Sequence, residues 1–143
     1  MTAYSVIYDA FLARILEDEW DKWLIEEAEE DWHQLLEMAI PWFKFPRVSL
    51  EHDEEGFSGD LTNAEVQILA SFMKCEWLNR CIMTWENVKP LYQERDFSQA
   101  NLLDKLKQML DGERNNAQRL ESIYYRSRNG KPFSFARLAD NDA

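Results

Sequence analysis

The sequence is short of the residues that make loops. Its 143 residues include four glycines and four prolines, so no Gly- or Pro-rich linker divides the chain, and no low-complexity stretch or internal repeat appears. Cysteine is equally sparse. Cys75 and Cys81 are the only two, and six positions on a helix turn them about 240° apart around the axis. They cannot pair with each other and read as buried thiols of a protein made in the cytoplasm. No segment approaches the roughly 18 successive apolar residues of a membrane span. Met1-Thr2-Ala3-Tyr4 carries no basic region, so no signal peptide is expected.

What is present is apolar and acidic. Hydrophobic residues make up 45% of the chain, with six Trp, eight Phe and five Tyr. That is enough to bury one core without disulfides or metal, and too apolar for a disordered chain despite a net charge of -11. The charge is unevenly placed. Residues 1–60 hold 16 acidic and 4 basic side chains, whereas 61–143 hold 11 and 12. Within 112–138 only Glu113 and Glu121 oppose Arg114, Arg119, Arg126, Arg128, Lys131 and Arg137. Such asymmetry is either a solvated acidic face or the mark of an assembly unit whose two ends meet different partners.

Hydrophobic period predicts helices. Ile7, Phe11 and Ile15 recur at four-residue spacing in a first helix from Tyr4 to about Leu16. The acidic Glu17-Asp18-Glu19 marks the junction, with Asp18 as a cap. A second helix from about Glu19 to Ile40 shows a stripe of Trp20, Trp23, Leu24, Ala28, Trp32, Leu35, Leu36 and Ala39, and Pro41 ends it. Pro41 to Leu50 is expected to be extended, with room for one short strand, and 52–60 to be an acidic loop. Thr62 and Glu65 form a capping box that starts a third helix, fading near Glu86. A connector covers 88–97, and Asp96 or Ser98 caps a fourth helix in which Gly112 is a candidate kink. That helix ends near Arg128, before Asn129-Gly130. The fold class expected is all-α: a bundle of about four helices over 1–128 with an extended loop and a C-terminal tail, 129–143.

Motifs for chemistry are scarce. Glu30-x-x-His33 has the spacing of carboxylate-bridged di-iron bundles, and Glu29, His33 and Glu37 share a face. A di-iron site needs a second such motif, and the other histidine, His52, falls in a loop, so a solvated face is the preferred reading and no metal or other cofactor is expected. Neither cysteine has a nearby histidine, and neither Gly-x-Ser-x-Gly nor a phosphate-binding glycine loop occurs. Glu54-Glu55 lie in a loop without an apolar pocket. An enzyme is therefore not expected. A net charge of -11 also disfavours nucleic-acid binding by the whole chain. The basic stretch Arg114–Arg137 is better explained by i, i+4 pairs or an acidic partner. Phe133, Phe135 and Leu138, interleaved with Lys131 and Arg137, either fold back on the bundle or insert into another protein.

The order of elements resembles the head-tail connector (adaptor, or neck) proteins of tailed bacteriophages. The residues that carry the resemblance are Ile7-Tyr8-Asp9-Ala10-Phe11-Leu12 and Ala39-Ile40-Pro41-Trp42-Phe43-Lys44-Phe45-Pro46-Arg47. Leu61-Thr62-Asn63-Ala64-Glu65-Val66-Gln67-Ile68-Leu69-Ala70, Glu76-Trp77 and Ser98-Gln99-Ala100-Asn101 continue it. The resemblance implies a structural virion protein of the neck region, made in the host cytoplasm, with no catalytic residues. Its partners would be the portal protein on one side and a stopper or tail-completion protein on the other. It would form a homo-oligomeric ring, a dodecamer, with only transient contact with packaged DNA and none with membrane. Portal contact would fall to Arg126, Arg128, Lys131, Phe133, Phe135, Arg137 and Leu138. Neighbour or tail-side contact would fall to Trp42, Phe43, Phe45 and Arg47. An acidic body suits a channel through which phosphates must slide. The alternative is an acidic DNA mimic that inhibits a host nuclease through the second helix, and a third reading is a small metal-binding bundle using Glu30 and His33.

Overall fold

The computed structural model describes residues 1–15, 20, 23–88 and 97–126. These fold as a mostly helical bundle with one minimal sheet. The order is β1 (Thr2–Ala3), α1 (Tyr4–Leu12), α2 (Ile25–Ala39), a 3-10 turn (Ile40–Trp42), β2 (Gly56–Phe57), α3 (Asn63–Val88) and α4 (Phe97–Arg126). The connector 89–96, the Asp18 and Asp96 caps, Asn129-Gly130 and the tail lie outside the described residues.

α3 is the central element, and α1, α2 and α4 each pack against it. Its sequence explains this position. Ile68, Leu69, Ala70, Ser71, Phe72 and Met73 are buried in unbroken succession. Six successive buried positions cover more than one full turn, so over this stretch α3 meets neighbours on all its faces, and the residues there are apolar or small. The capping box starts it as expected. The Thr62 amide donates to Glu65 Oε1 at 2.8 Å, and the Glu65 amide donates to Thr62 Oγ1 at 3.4 Å.

Two start positions differ from the sequence pattern. α2 begins at Ile25, because Leu24 is extended (φ -64°, ψ 146°) and serves as its cap. Trp23 and Leu24 are consequently exposed and do not join the apolar stripe. Trp20 is buried all the same, but tertiary packing holds it. Its ring lies against Phe11, Trp32 and Trp77 with centroids 5.9–6.4 Å away, and its indole N–H donates to Asp31 Oδ2 at 2.8 Å. At the other end, α4 already includes Phe97, so Ser98 lies within the helix and does not cap it. The helix runs through Gly112 without a break.

The 41–60 region also differs. No strand forms over Pro41–Leu50; Pro41 is accommodated in the 3-10 turn, where its missing N–H has no helical partner to lose. The strand lies at Gly56–Phe57, inside the stretch read as an acidic loop. It pairs antiparallel with the N-terminus, Thr2 opposite Phe57 and Ala3 opposite Gly56. The segment between is a tight hairpin. The amides of Glu55 and Gly56 donate to Asp53 Oδ1 at 2.8 and 3.2 Å, and Ser58 N–H donates to the Glu51 carbonyl at 2.9 Å. Phe57 is fully buried, which fixes the hairpin on the core.

Candidate partner-binding edge and polar clusters

The segment after α2 builds the most exposed aromatic surface near the end of α4. Its side chains alternate between core and solvent. Phe43 is 3% exposed and meets the Tyr124 ring edge-on at 5.4 Å. Trp42 and Phe45 point outward, at 53% and 71% exposure. Trp42 is held in place by its N–H to Glu76 Oε1 (2.8 Å) and by stacking on Phe72. Phe45 rests on Tyr125 with ring centroids 6.2 Å apart. Of the four residues assigned to a neighbour contact, Trp42 and Phe45 therefore present apolar surface, whereas Phe43 is a core anchor.

Arg47 has a structural task as well. Its Nη2 donates to the carbonyls of Tyr124 and Tyr125 at 2.8 and 3.4 Å, and its guanidinium carbon lies 4.5 Å from the centroid of the Tyr124 ring. A cation at the last carbonyls of a helix satisfies acceptors that have no partner within the helix and complements the dipole. The Arg47 amide donates to the Tyr124 hydroxyl at 2.7 Å. That hydroxyl in turn donates to Glu65 Oε2, which is 1% exposed. One knot thus ties the loop, the end of α4 and the start of α3. Arg126 is the last described residue and is exposed. Arg128, Lys131, Phe133, Phe135, Arg137 and Leu138 lie outside the described residues.

Three polar clusters cross the bundle, and sequence spacing pointed only to the His33–Glu37 pair of the third. Glu113 on α4 accepts from Ser71 Oγ at 2.6 Å and pairs with Lys74 (3.4 Å) and Arg14 (3.5 Å). Asp31 takes a two-pronged contact from Arg80 at 2.7 and 3.0 Å. Burial pushes the Asp31 carboxyl up, but the bonds from Arg80 and Trp20 outweigh it and hold it below its ordinary value. The third cluster joins the two histidines. His52 Nε2 and His33 Nε2 meet the same Glu37 oxygen at 2.7 and 3.2 Å, and the Tyr8 hydroxyl meets His33 Nδ1 at 3.1 Å. The His33–Glu37 pair follows from i, i+4 spacing; the arrival of His52 required the hairpin, which the sequence pattern did not reveal.

The third cluster bears on the metal reading. Glu30 is exposed, and His33 turns to Tyr8 and Glu37. Both imidazoles aim at one carboxylate oxygen, a hydrogen-bonding arrangement, and no group of three His, Cys, Asp or Glu among the described residues could hold a metal ion. Cys75, buried, and Cys81, partly so, form no disulfide with each other, and burial pushes the Cys75 thiol up to about 12. No described helix is long and apolar enough to cross a membrane.

Comparison with known proteins gives no relative: no family model, no curated protein and no solved structure matches the chain.

Proposed function

We propose that this chain is a structural connector of a tailed-phage neck, a ring-forming adaptor that docks beneath a portal protein and extends the DNA channel. The observation that supports this most directly is the juxtaposition at the end of α4. The exposed Phe45 rests on Tyr125, one residue before the helix ends at Arg126. From there the chain continues into the basic and aromatic stretch containing Arg128, Lys131, Phe133, Phe135, Arg137 and Leu138. An apolar edge therefore lies just before the point in sequence where a net acidic chain turns cationic and aromatic. Such an edge suits burial between subunits, and a head-to-tail contact gives a ring when its rotation closes.

The full chain mixed with purified portal rings tests the reading. Size-exclusion chromatography and electron microscopy should show a second ring on the portal. Deletion of 127–143 should abolish it while the helical circular dichroism is retained. Normal portal binding by the truncated chain, or none by the full chain, would sink the proposal.

One observation favours a second reading, the acidic inhibitor. Glu26, Glu27, Glu29 and Glu30 are all exposed on the first turns of α2, a concentration of charge that could imitate phosphates. On that reading the chain binds a nuclease as a monomer, and reversing these four charges to lysine abolishes inhibition.

A further inference from the structure

The histidine cluster carries a consequence for the hairpin. His52 Nδ1 lies 2.7 Å from the Leu50 carbonyl, and its Nε2 lies 2.7 Å from the Glu37 carboxylate. A carbonyl and a carboxylate only accept hydrogen bonds. Both ring nitrogens must therefore carry protons, so His52 in this geometry is an imidazolium. His33 has no such requirement. Its Nδ1 faces the Tyr8 hydroxyl, which can donate, so a neutral ring with the proton on Nε2 satisfies both of its contacts.

We infer that His52 is a protonation latch: as the imidazolium it pins the 50–58 hairpin to α2 through Glu37, and loss of its proton frees the hairpin from that helix. The groups facing His52 favour this form. Glu37 approaches from α2, with His33 behind it on the same oxygen. Asp53 lies on the hairpin itself and adds negative charge. From α1 the Tyr4 ring stands edge-on at 6.3 Å, and its hydroxyl donates to the Asp53 carbonyl. Phe57, 5.4 Å away, closes the remaining side. The bond to Leu50 does most to raise the histidine above its ordinary value of 6.5; burial works against it, and the bond and charge of Glu37, with the charge of Asp53, keep the balance upward.

The sign follows from linkage. A base that holds its proton more strongly in the closed hairpin than in the open one stabilises the closed form below 6.5, and that contribution disappears as pH rises through the closed-form midpoint. Above it, a neutral His52 can serve only one of its two acceptors, and a lone pair faces the other.

The test is a pH series on the full chain, reading the His52 ring titration by NMR and the exchange protection of the Asp53 and Ser58 amides. Those amides donate to Gly56 and Glu51 on either side of His52. His52 should titrate above 6.5, and protection should fall across the same midpoint. The loss should be tenfold for each pH unit by which that midpoint exceeds 6.5. Glu37→Gln should bring the midpoint back toward 6.5 and flatten the profile, whereas His33→Gln should retain both. A midpoint at or below 6.5, protection that is constant with pH, or an unchanged profile in Glu37→Gln would overturn the latch. The wild-type series decides the matter even if a variant fails to fold.

Discussion

The Tyr124 hydroxyl donates to Glu65 Oε2 at 2.9 Å, joining the end of α4 to a carboxylate 59 positions earlier. Glu65 is buried, and its other oxygen closes the capping box of α3. Tyr124→Phe keeps the ring under Arg47 but removes the hydroxyl. A buried carboxylate oxygen and the Arg47 amide then lose a partner together. Leaving a buried polar group unpaired costs about 1–3 kcal/mol, more where it is charged. Urea denaturation should therefore show a loss at or above the upper part of that range. Thr62→Ala, which removes only the cap, should cost about 1 kcal/mol. A neutral Tyr124→Phe variant would mean that water replaces the hydroxyl.

Asp31 should govern part of the acid limb of stability. Its carboxyl is held below the ordinary 3.8 by Arg80 and Trp20. A group whose value is depressed on folding stabilises the fold above its unfolded value, and that contribution fades as pH falls toward the folded one. Between neutrality and pH 4, Asp31→Asn should be less stable than wild type, because the two-pronged ion pair between Arg80 and Asp31 is lost. Below 3.8 the two should converge. Urea midpoints measured across this range check both limbs; parallel curves would show that the pair contributes nothing specific.

Core placement separates residues that the hydrophobic pattern treats alike. Leu78 on α3 is fully buried, whereas Leu24 is 65% exposed. Leu78→Ala should cost about 2–5 kcal/mol, and Leu24→Ala no more than about 0.5 kcal/mol. Thermal or urea melts of the two single variants decide it.

That contrast shows how far the sequence could be read. The existence and order of the helices were legible because 3.6-residue periodicity and the Thr62–Glu65 box are local signals. The start of α2 was not. Trp20, Trp23 and Leu24 extend the apolar period, yet an extended Leu24 breaks the helix, and only contacts with Phe11, Trp32 and Trp77 separate Trp20 from its exposed neighbours. β2 was hidden for a similar reason. Gly56 and Phe57 form two residues of strand whose partner is the N-terminus, so no alternation marks them. Within the candidate edge, Phe43 and Phe45 are identical in kind, and register alone decides that one is core and the other surface.

Two glycines should respond in opposite ways to the same substitution. Gly112 lies inside α4, and a Cβ built there meets nothing within 4 Å. Glycine within a helix costs about 0.5–1 kcal/mol relative to alanine, because the unfolded chain has more freedom to lose. Gly112→Ala should therefore stabilise the protein by that amount, with no change in its spectrum. Gly56 sits where β2 meets β1, and a Cβ there would lie 2.2 Å from the Thr2 carbonyl oxygen, a backbone atom that cannot swing aside. Gly56→Ala should separate the strands and release the N-terminal amine from Asp60. Its signature should be local. Exchange protection at Ser58 and the packing of Phe57 should be lost before the helical signal changes, since α3 and α4 take no part in the sheet. If Gly56→Ala melts with wild-type stability and protection, the pairing of Thr2 with Phe57 is not what holds the hairpin to the core.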